Sequence, residues 1–187
     1  MNAPVVLVLA SGRGERFVAS GGTGSKLQAL LAGRPVLEHT LAAVRASGLP
    51  FHVEDAGHPG MGDSIAAGVR ATPDADGWLV LPGDLPLVSP QSLRAVADAL
   101  QQASLVLPFY RGIRGHPVGF GRAHGAALQA LSGAEGAAAI VRAARTVQLE
   151  LDDEGIVTDI DTVADLARAE RLLAGRASPG AGHDPQR

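Results

Sequence analysis

Continuous apolar runs alternate with segments of helical periodicity along most of the chain. The run Val5–Leu9 is rich in β-branched residues, which is typical of a strand buried on both faces of a parallel sheet. Residues 78–81 have the same character and predict a second buried strand. Apolar positions at helical spacing predict helices over residues 36–44 and over Met61–Ala71. Strands that alternate with helices in this way predict an α/β layered fold around a mostly parallel sheet.

The alternation continues through most of the remaining chain. Further apolar segments predict strands at 51–54, 105–107 and 117–120 and helices at 124–131 and 135–144. Residues 147–151 and 156–160 are predicted to form a hairpin across the turn at 153–155. The residues from Thr162 to Asp165 resemble a capping box and predict the start of a last helix.

Composition indicates one globular domain. The 187 residues are 46% hydrophobic and 19% charged, which is enough apolar material for an ordinary core. From Ala174 onward small and polar residues replace the apolar periodicity. We therefore expect a domain over residues 1–173 and a disordered tail over residues 174–187.

Charge and cysteine content exclude several classes of protein. The net charge of -3 argues against a surface for nucleic acid or for anionic membranes, because such a surface needs a basic excess. The absence of cysteine excludes disulfides and thiolate metal sites and fits a cytoplasmic protein. The apolar run at 4–10 is too short to span a membrane and lacks the basic leader of a secretory signal. An aromatic content of 3% favours a monomer, because few large anchors are available for an interface.

A glycine-rich loop at 11–25 follows the first strand, where ligands bind in open α/β sheets. Its glycines allow backbone N–H groups to approach a polyanion, and Arg13, Arg16 and Lys26, the only lysine of the chain, can neutralise phosphate charge. Phe17 stands where a dinucleotide-binding fingerprint needs glycine, and Lys26 is not followed by the serine or threonine of a Walker loop. A flexible surface loop is the alternative interpretation.

Two carboxylates are placed where a metal ion is usually held. Asp84 directly follows a predicted buried strand and lies in a stiff turn between prolines, and Asp161 ends another predicted strand just before a helix. Mg²⁺ prefers one or two carboxylates together with phosphate oxygens and water. Asp159 lies on the same face as Asp161 if that strand forms, so spacing does not choose between them. The alternative to a metal site is that Asp84 only closes a turn and Asp161 only lies beside a helix N-terminus, two places where aspartate is favourable.

Five short motifs occur in order along the chain: "LASGRGERF" followed by Lys26, "GMGDSIAAGV", "LPGDLPLV", "RGHPVGF" and "DIDTVADL". Together they resemble the MobA-like NTP transferase family, particularly molybdenum cofactor cytidylyltransferases. The resemblance implies a three-layer α/β/α, Rossmann-like nucleotidyltransferase fold. It also implies Mg²⁺-dependent transfer of a nucleoside monophosphate, with CTP favoured, from an NTP to a phosphorylated acceptor such as molybdopterin, with release of pyrophosphate.

The same resemblance implies a set of site residues. They are Ala10, Ser11, Gly12 and Gly14 at the nucleotide, Arg16 and Lys26 at the triphosphate, Ser64 and Gly68 near the base and ribose, Asp84 and Asp161 at Mg²⁺, and His116 at the acceptor. Arg16, Lys26 and Asp84 are the implied catalytic residues. A molybdoenzyme maturation protein is a possible partner.

The chain departs from the family at several positions. Ser11 stands where cytidylyl members usually have alanine, and Ala134 and Ala138 replace an aspartate and an arginine that are common on the acceptor side. The segment at 48–62 is shorter than in longer relatives, so the sequence does not determine how that part of the sheet is built. Two alternatives therefore remain: a sugar- or isoprenoid-phosphate nucleotidyltransferase, and a non-catalytic protein that binds and delivers a nucleotide or cofactor.

Overall fold

A mixed sheet of seven strands forms the centre of the computed structural model, which describes residues 3–12 and 14–177. In chain order the strands are β1 (Val5–Leu9), β2 (Leu30–Leu31), β3 (Arg34–Pro35), β4 (Phe51–Glu54), β5 (Gly77–Pro82), β6 (Leu105–Tyr110), β7 (Ile113–Arg114), β8 (Val118–Gly121) and β9 (Val147–Glu150). The order across the sheet is β4-β1-β5-β8-β6-β7, with β9 also paired to β6, while β2 and β3 form a separate hairpin. Only β7 and β8 run against the other strands of this sheet, which confirms a mostly parallel arrangement.

Helices cover both faces of the sheet. They are α1 (Glu15–Ala19), α2 (Val36–Ser47), α3 (Met61–Ala71), α4 (Pro90–Ala99), α5 (Gly125–Gln129), α6 (Ala138–Ala143) and α7 (Val163–Ala177), with 3₁₀ turns at Arg122–His124 and Glu154–Val157. Alternate residues of β1 and β5 pack against α3, α5 and α6 on one side and against α2 and α4 on the other. This confirms the three-layer α/β/α fold. No helix in the described part of the chain combines the length and apolar character needed to cross a bilayer.

The connections place a topological switch point at β1. The chain passes from β1 through α2 to β4 on one side of β1, and then through α3 to β5 on the other side. Ligands of open α/β sheets bind in the crevice that such a reversal creates beyond the carboxyl ends of the strands. The ends of β4, β1 and β5 are therefore the part of the fold in which a site is expected.

The predicted hairpin across residues 153–155 is wrong. Only β9 forms, and it pairs parallel with β6, while Glu154–Val157 is a 3₁₀ turn. Asp153 is 8% exposed and accepts hydrogen bonds from Ser92 Oγ at 2.7 Å and from Gly155 N at 2.9 Å. A Cβ on Gly155 would overlap the carbonyl of Leu87. The residues interpreted as a solvent-exposed turn are thus docked against the start of α4.

Two other local predictions also differ from the structure. The glycine-rich segment at 11–25 is interrupted by the short helix α1, whose Phe17 is 3% exposed and packs in a small core cluster with Leu31 and Val36. The disordered tail was expected from residue 174, whereas α7 continues to Ala177. Residues 178–187 lie outside the described residues, so a disordered tail there stays a prediction.

Candidate active site

A lysine, an arginine and two carboxylates meet beyond the carboxyl ends of β1 and β5. Lys26 Nζ donates to Asp84 Oδ2 at 2.6 Å and to Asp161 Oδ1 at 2.8 Å. Arg16 Nη1 lies 2.8 Å from the second oxygen of Asp161. The side chains of Lys26, Asp84 and Asp161 are 12%, 14% and 20% exposed, whereas that of Arg16 is 78% exposed. These side chains, called the charge network below, come from distant parts of the sequence.

The turn after β5 fixes Asp84 through its backbone neighbours. Gly83 N donates to Leu9 O at 2.9 Å, and a Cβ on Gly83 would lie only 3.0 Å from that oxygen. Asp84 O accepts a hydrogen bond from Ile160 N at 3.0 Å. Asp84 is therefore tied both to β1 and to the segment that carries Asp161.

A capping box at the start of α7 fixes the backbone of Asp161. Thr162 Oγ1 accepts from Asp165 N at 3.2 Å, and Asp165 Oδ2 accepts from the backbone N atoms of Thr162 at 2.7 Å and Asp161 at 3.2 Å. Burial alone would raise the pKa of Asp165, but these hydrogen bonds lower it overall. This confirms the capping box expected from the sequence and leaves the Asp161 side chain free for Lys26 and Arg16.

The structure brings Asp161, and not Asp159, to Lys26. The strand that would have placed both carboxylates on one face does not form, so the period-two argument fails. Asp159 nevertheless interacts electrostatically with the network. Desolvation first, and then the negative charges of Asp161 and Asp84, raise the pKa of Asp159.

Lys26 retains a donor for a substrate. Burial alone would lower the pKa of Lys26, but the charge of Asp84 and the hydrogen bonds with both carboxylates raise it above its ordinary value. The side chain is therefore an ammonium at neutral pH. An ammonium has three N–H donors, and Asp84 and Asp161 use two of them. The third is available to an anionic group above the network.

A cavity of about 330 Å³ adjoins the charge network. It is lined by Lys26 and Asp84 and by three residues implied at the nucleotide, Ser11, Gly12 and Ser64. Its volume lies within the range of small-molecule sites, roughly 300–1,000 Å³. The cavity can therefore hold a group of nucleoside size next to the charged side chains.

A second, more open cavity of about 270 Å³ shares Gly12 and Lys26 with the first and is also lined by Gly14, Arg16 and Asp161. Gly14 has φ 64°, and a Cβ there would approach the backbone N of Lys26 to 3.4 Å. A left-handed conformation so close to Lys26 favours glycine. Arg13, which the sequence offered as a further phosphate ligand, lies outside the described residues.

Ala10 and Gly68 do not line either of these cavities. Ala10 N donates to Glu54 O at 2.9 Å, so this residue joins the ends of β1 and β4. Gly68 lies on the buried face of α3, where a Cβ would approach the Leu7 side chain to 3.3 Å. Both positions support the walls of the site from behind.

His116 stands beside the end of β5, two residues before β8. Its backbone N donates to Ile156 O at 2.9 Å. Burial first, and then the positive charge of Arg114, lower the pKa of His116 to about 4, against smaller opposing effects of the Val80 backbone and of Asp159. The ring is therefore neutral at pH 7. His116 does not line either cavity, so its role at the acceptor stays a prediction.

The structure adds a buried carboxylate that sequence reasoning missed. Glu54 ends β4, is 7% exposed and accepts hydrogen bonds from His58 Nε2 at 3.0 Å, His52 Nε2 at 3.3 Å and Ala56 N at 3.3 Å. Burial alone would raise the pKa of Glu54, but these hydrogen bonds lower it overall. His58 lines the larger cavity. The signal was present in the sequence, because Glu54, like Asp84, is an acid at the carboxyl end of a strand.

The glycines of "GMG" at 60–62 allow two backbones to approach closely. Gly62 N donates to Gly133 O at 2.8 Å, and a Cβ on Gly62 would lie 2.8 Å from Ser132 O. Asp63 Oδ2 in turn accepts from Gly133 N at 3.0 Å. The cavity wall at 58–61 is therefore held by the segment that carries Ala134, which the resemblance placed on the acceptor side.

The two carboxylates have the donor chemistry of a divalent metal site. Asp84 Oδ1 is buried, and no described group forms a hydrogen bond with it. Residues 3–12 and 14–177 contain no cluster of three or more metal-ligating side chains. An ion held by Asp84 and Asp161 would complete its coordination shell with substrate oxygens and water, as Mg²⁺ commonly does. The residues present fit such an ion.

The chain belongs to the MobA-like NTP transferase family, because the profile of the MobA-like NTP transferase domain matches residues 42–149, more than half of the chain. The matched range includes Ser64 and Asp84, while Arg16 and Lys26 precede it. The family resemblance seen in the sequence is thereby confirmed.

Two relatives are similar in sequence. The 2-C-methyl-D-erythritol 4-phosphate cytidylyltransferase of Cereibacter sphaeroides is 33% identical over 220 residues, which cover 90% of this chain and 96% of that protein. The bifunctional protein GlmU of Halorhodospira halophila is 31% identical over 147 residues, which cover 65% of this chain but 29% of GlmU. The chain thus spans less than a third of the length of the GlmU proteins that it matches.

Among solved structures, Rv0371c from Mycobacterium tuberculosis H37Rv has the same fold. It superposes with a TM-score of 0.76 at 24% identity and covers 91% of this chain and 98% of its own. A second structure of Rv0371c, in complex with manganese, gives a TM-score of 0.71 at 23% identity and covers 91% of this chain and 99% of its own.

Proposed function

We propose that this protein transfers a nucleoside monophosphate from an NTP to a phosphorylated acceptor and releases pyrophosphate, with CTP as the favoured nucleotide and molybdopterin as the favoured acceptor. The observation that carries the proposal is the charge network of Arg16, Lys26, Asp84 and Asp161 beside a cavity of about 330 Å³ at the switch point. The match to the MobA-like family and the similarity to a cytidylyltransferase support it.

The proposed reaction is a displacement at phosphorus. An oxygen of the acceptor phosphate forms a bond to the α-phosphorus, and the bond from the α-phosphorus to the oxygen that bridges to the β-phosphate breaks. Pyrophosphate then leaves with the bonding electrons. The acceptor needs little help from a base, because the second pKa of a phosphomonoester is about 6. Catalysis is then mainly positioning and neutralisation of charge.

The charge network performs both tasks with the residues in the structure. Lys26 is held by Asp84 and Asp161 and directs its third N–H to the phosphates, where it neutralises charge that develops on the leaving group. Arg16 is 78% exposed and bonds Asp161 through one nitrogen, so its remaining donors are free for phosphate oxygens. The backbone at Gly12 and Gly14 lines the same space and allows a polyanion to approach.

Mg²⁺ is the proposed cofactor, and Asp84 and Asp161 are the residues that would hold it. A divalent ion supplies Lewis-acid charge to phosphate oxygens when it is bound. A manganese complex of Rv0371c, which shares the fold, supports the use of a divalent ion. Ser64 lines the cavity and is proposed to contact the nucleoside, and the neutral ring of His116 is proposed to face the acceptor.

Pyrophosphate release tests the proposal. The protein is assayed with Mg²⁺ and each of CTP, GTP, UTP and ATP, against molybdopterin and a panel of sugar phosphates. We expect release with CTP and molybdopterin, a loss of at least 100-fold in Asp84→Asn, and no change in Asp98→Asn, which alters an exposed aspartate on α4 away from the site. Unchanged activity in Asp84→Asn would remove the network from the mechanism. Nucleotide binding without release across the whole panel would instead favour a delivery protein.

A second candidate keeps the chemistry and changes the acceptor. The relative from Cereibacter sphaeroides covers 90% of this chain at 33% identity and is named for 2-C-methyl-D-erythritol 4-phosphate. Including that compound in the panel separates the two candidates directly. Release with it and CTP, and none with molybdopterin, would make 2-C-methyl-D-erythritol 4-phosphate the favoured acceptor in place of molybdopterin.

A further inference from the structure

His58 lines the cavity of about 330 Å³ from the β4 side of the sheet. It follows β4, whereas Asp84 follows β5, and β1 lies between these two strands. Adjacent strands are about 4.8 Å apart, so the two strand ends are separated by roughly 10 Å. A nucleotide whose phosphates contact Lys26 can therefore place its base toward the β4 side, where His58 lines the cavity.

Glu54 determines which ring nitrogen of His58 carries the proton. Glu54 Oε1 lies 3.0 Å from His58 Nε2, and an ionised carboxylate can only accept a hydrogen bond. In a ring that carries a single proton, that proton is therefore on Nε2, and Nδ1 keeps its lone pair. No group within residues 3–12 and 14–177 bonds to that Nδ1. His58 thus offers an unused acceptor at the cavity wall.

The two hydroxyl groups that line the cavity already donate their protons. Ser11 Oγ donates to Glu54 O at 3.2 Å, and Ser64 Oγ donates to Gly60 O at 3.2 Å. Like the Nδ1 of His58, these oxygens can only accept from a ligand in this arrangement. The side chains around the base end of the cavity therefore complement a base that presents a hydrogen-bond donor.

We propose that His58, oriented by Glu54, accepts a hydrogen bond from the exocyclic amino group of the nucleobase and so selects CTP over UTP. The inference rests on the proposed function, because it assigns the base end of the same site. Cytosine presents an amino group at the position where uracil presents a carbonyl oxygen. With uracil, two acceptors face each other and both lose their partners, which costs more than a missing contact alone.

Equilibrium binding of Mg-CTP and Mg-UTP to the full chain tests the proposal by calorimetry. The two nucleotides have identical triphosphates and riboses, so the ratio of their Kd values isolates the base. We expect the unaltered protein to bind CTP about tenfold more tightly than UTP, as one satisfied against one unsatisfied polar pair predicts. His58→Ala should bring the ratio close to one. Glu54→Gln should give an intermediate ratio, because an amide can both donate and accept and no longer dictates the tautomer.

His52→Ala is the matched control. His52 also bonds Glu54, at 3.3 Å, but does not line the cavity, so its loss should leave the tenfold ratio unchanged. A ratio near one in the unaltered protein, or a tenfold ratio retained in His58→Ala, would overturn the inference and leave the proposed transfer of a nucleoside monophosphate standing. Failure of the unaltered protein to bind any of the four nucleotides would overturn both.

Discussion

Replacing Lys26 by methionine removes the centre of the charge network while keeping the length of the side chain. Asp84 and Asp161 are 14% and 20% exposed, so they are left as neighbouring negative charges with little access to water. Removing one partner of a buried ion pair costs about 3–5 kcal/mol, and partial exposure of both carboxylates reduces this to about 2–3 kcal/mol. The predicted loss is measured as the free energy of unfolding in urea, from the shift of the midpoint at constant slope.

Arg16→Met is the matched control for this change. Arg16 contacts the same carboxylate at the same 2.8 Å as Lys26 does, but it is 78% exposed. An exposed ion pair contributes about 0–1 kcal/mol, so this variant should unfold almost like the unaltered protein. Both variants should nevertheless lose pyrophosphate release, because both cations face the phosphates. Equal stability of the two variants would refute the placement of Lys26 between Asp84 and Asp161.

Two further predictions concern the frame of the site. Gly155→Ala should lower the free energy of unfolding in urea by about 2–3 kcal/mol, because the added Cβ would overlap the Leu87 carbonyl. Gly175→Ala is the control: this glycine lies in α7 with open space around it, so the change should raise the free energy of unfolding by up to about 1 kcal/mol. His116 has a pKa of about 4 in the folded protein, against an ordinary value of 6.5. Between these two pH values the unfolded chain binds a proton that the folded protein does not, so stability should fall as the pH is lowered from about 6.5 to about 4. His116→Asn should flatten that slope in unfolding experiments at a series of pH values; an unchanged slope would show that the ring is not buried in its neutral form.

Local pattern was sufficient for the elements that build the walls of the site. The strand Val5–Leu9 and the helix Met61–Ala71 have in the structure the bounds expected from the sequence. Both are long apolar or amphipathic segments, in which burial and backbone preference agree. The capping box before α7 was also predictable, since its partners lie three residues apart.

Pairing and docking over longer distances were not predictable in the same way. A hairpin across residues 153–155 was reasonable from turn chemistry, yet β9 finds its partner in β6, and Gly155 packs against Leu87. Both contacts join segments far apart in sequence, and local sequence pattern does not indicate which distant segment each will contact. The Glu54–His58 pair is local, but only the tertiary structure shows that it borders the cavity that β1 and β5 complete.

The amino-acid sequence therefore defined the ingredients of the site: acids at the ends of buried strands, one lysine after a glycine-rich segment, and five motifs in the order of a nucleotidyltransferase family. The tertiary structure decided which of these ingredients meet. Asp161 rather than Asp159 reaches Lys26, because a capping box and not a strand sets the backbone there. Strand ends become neighbours only through the order of strands in the sheet, and that order is a property of the whole packed core.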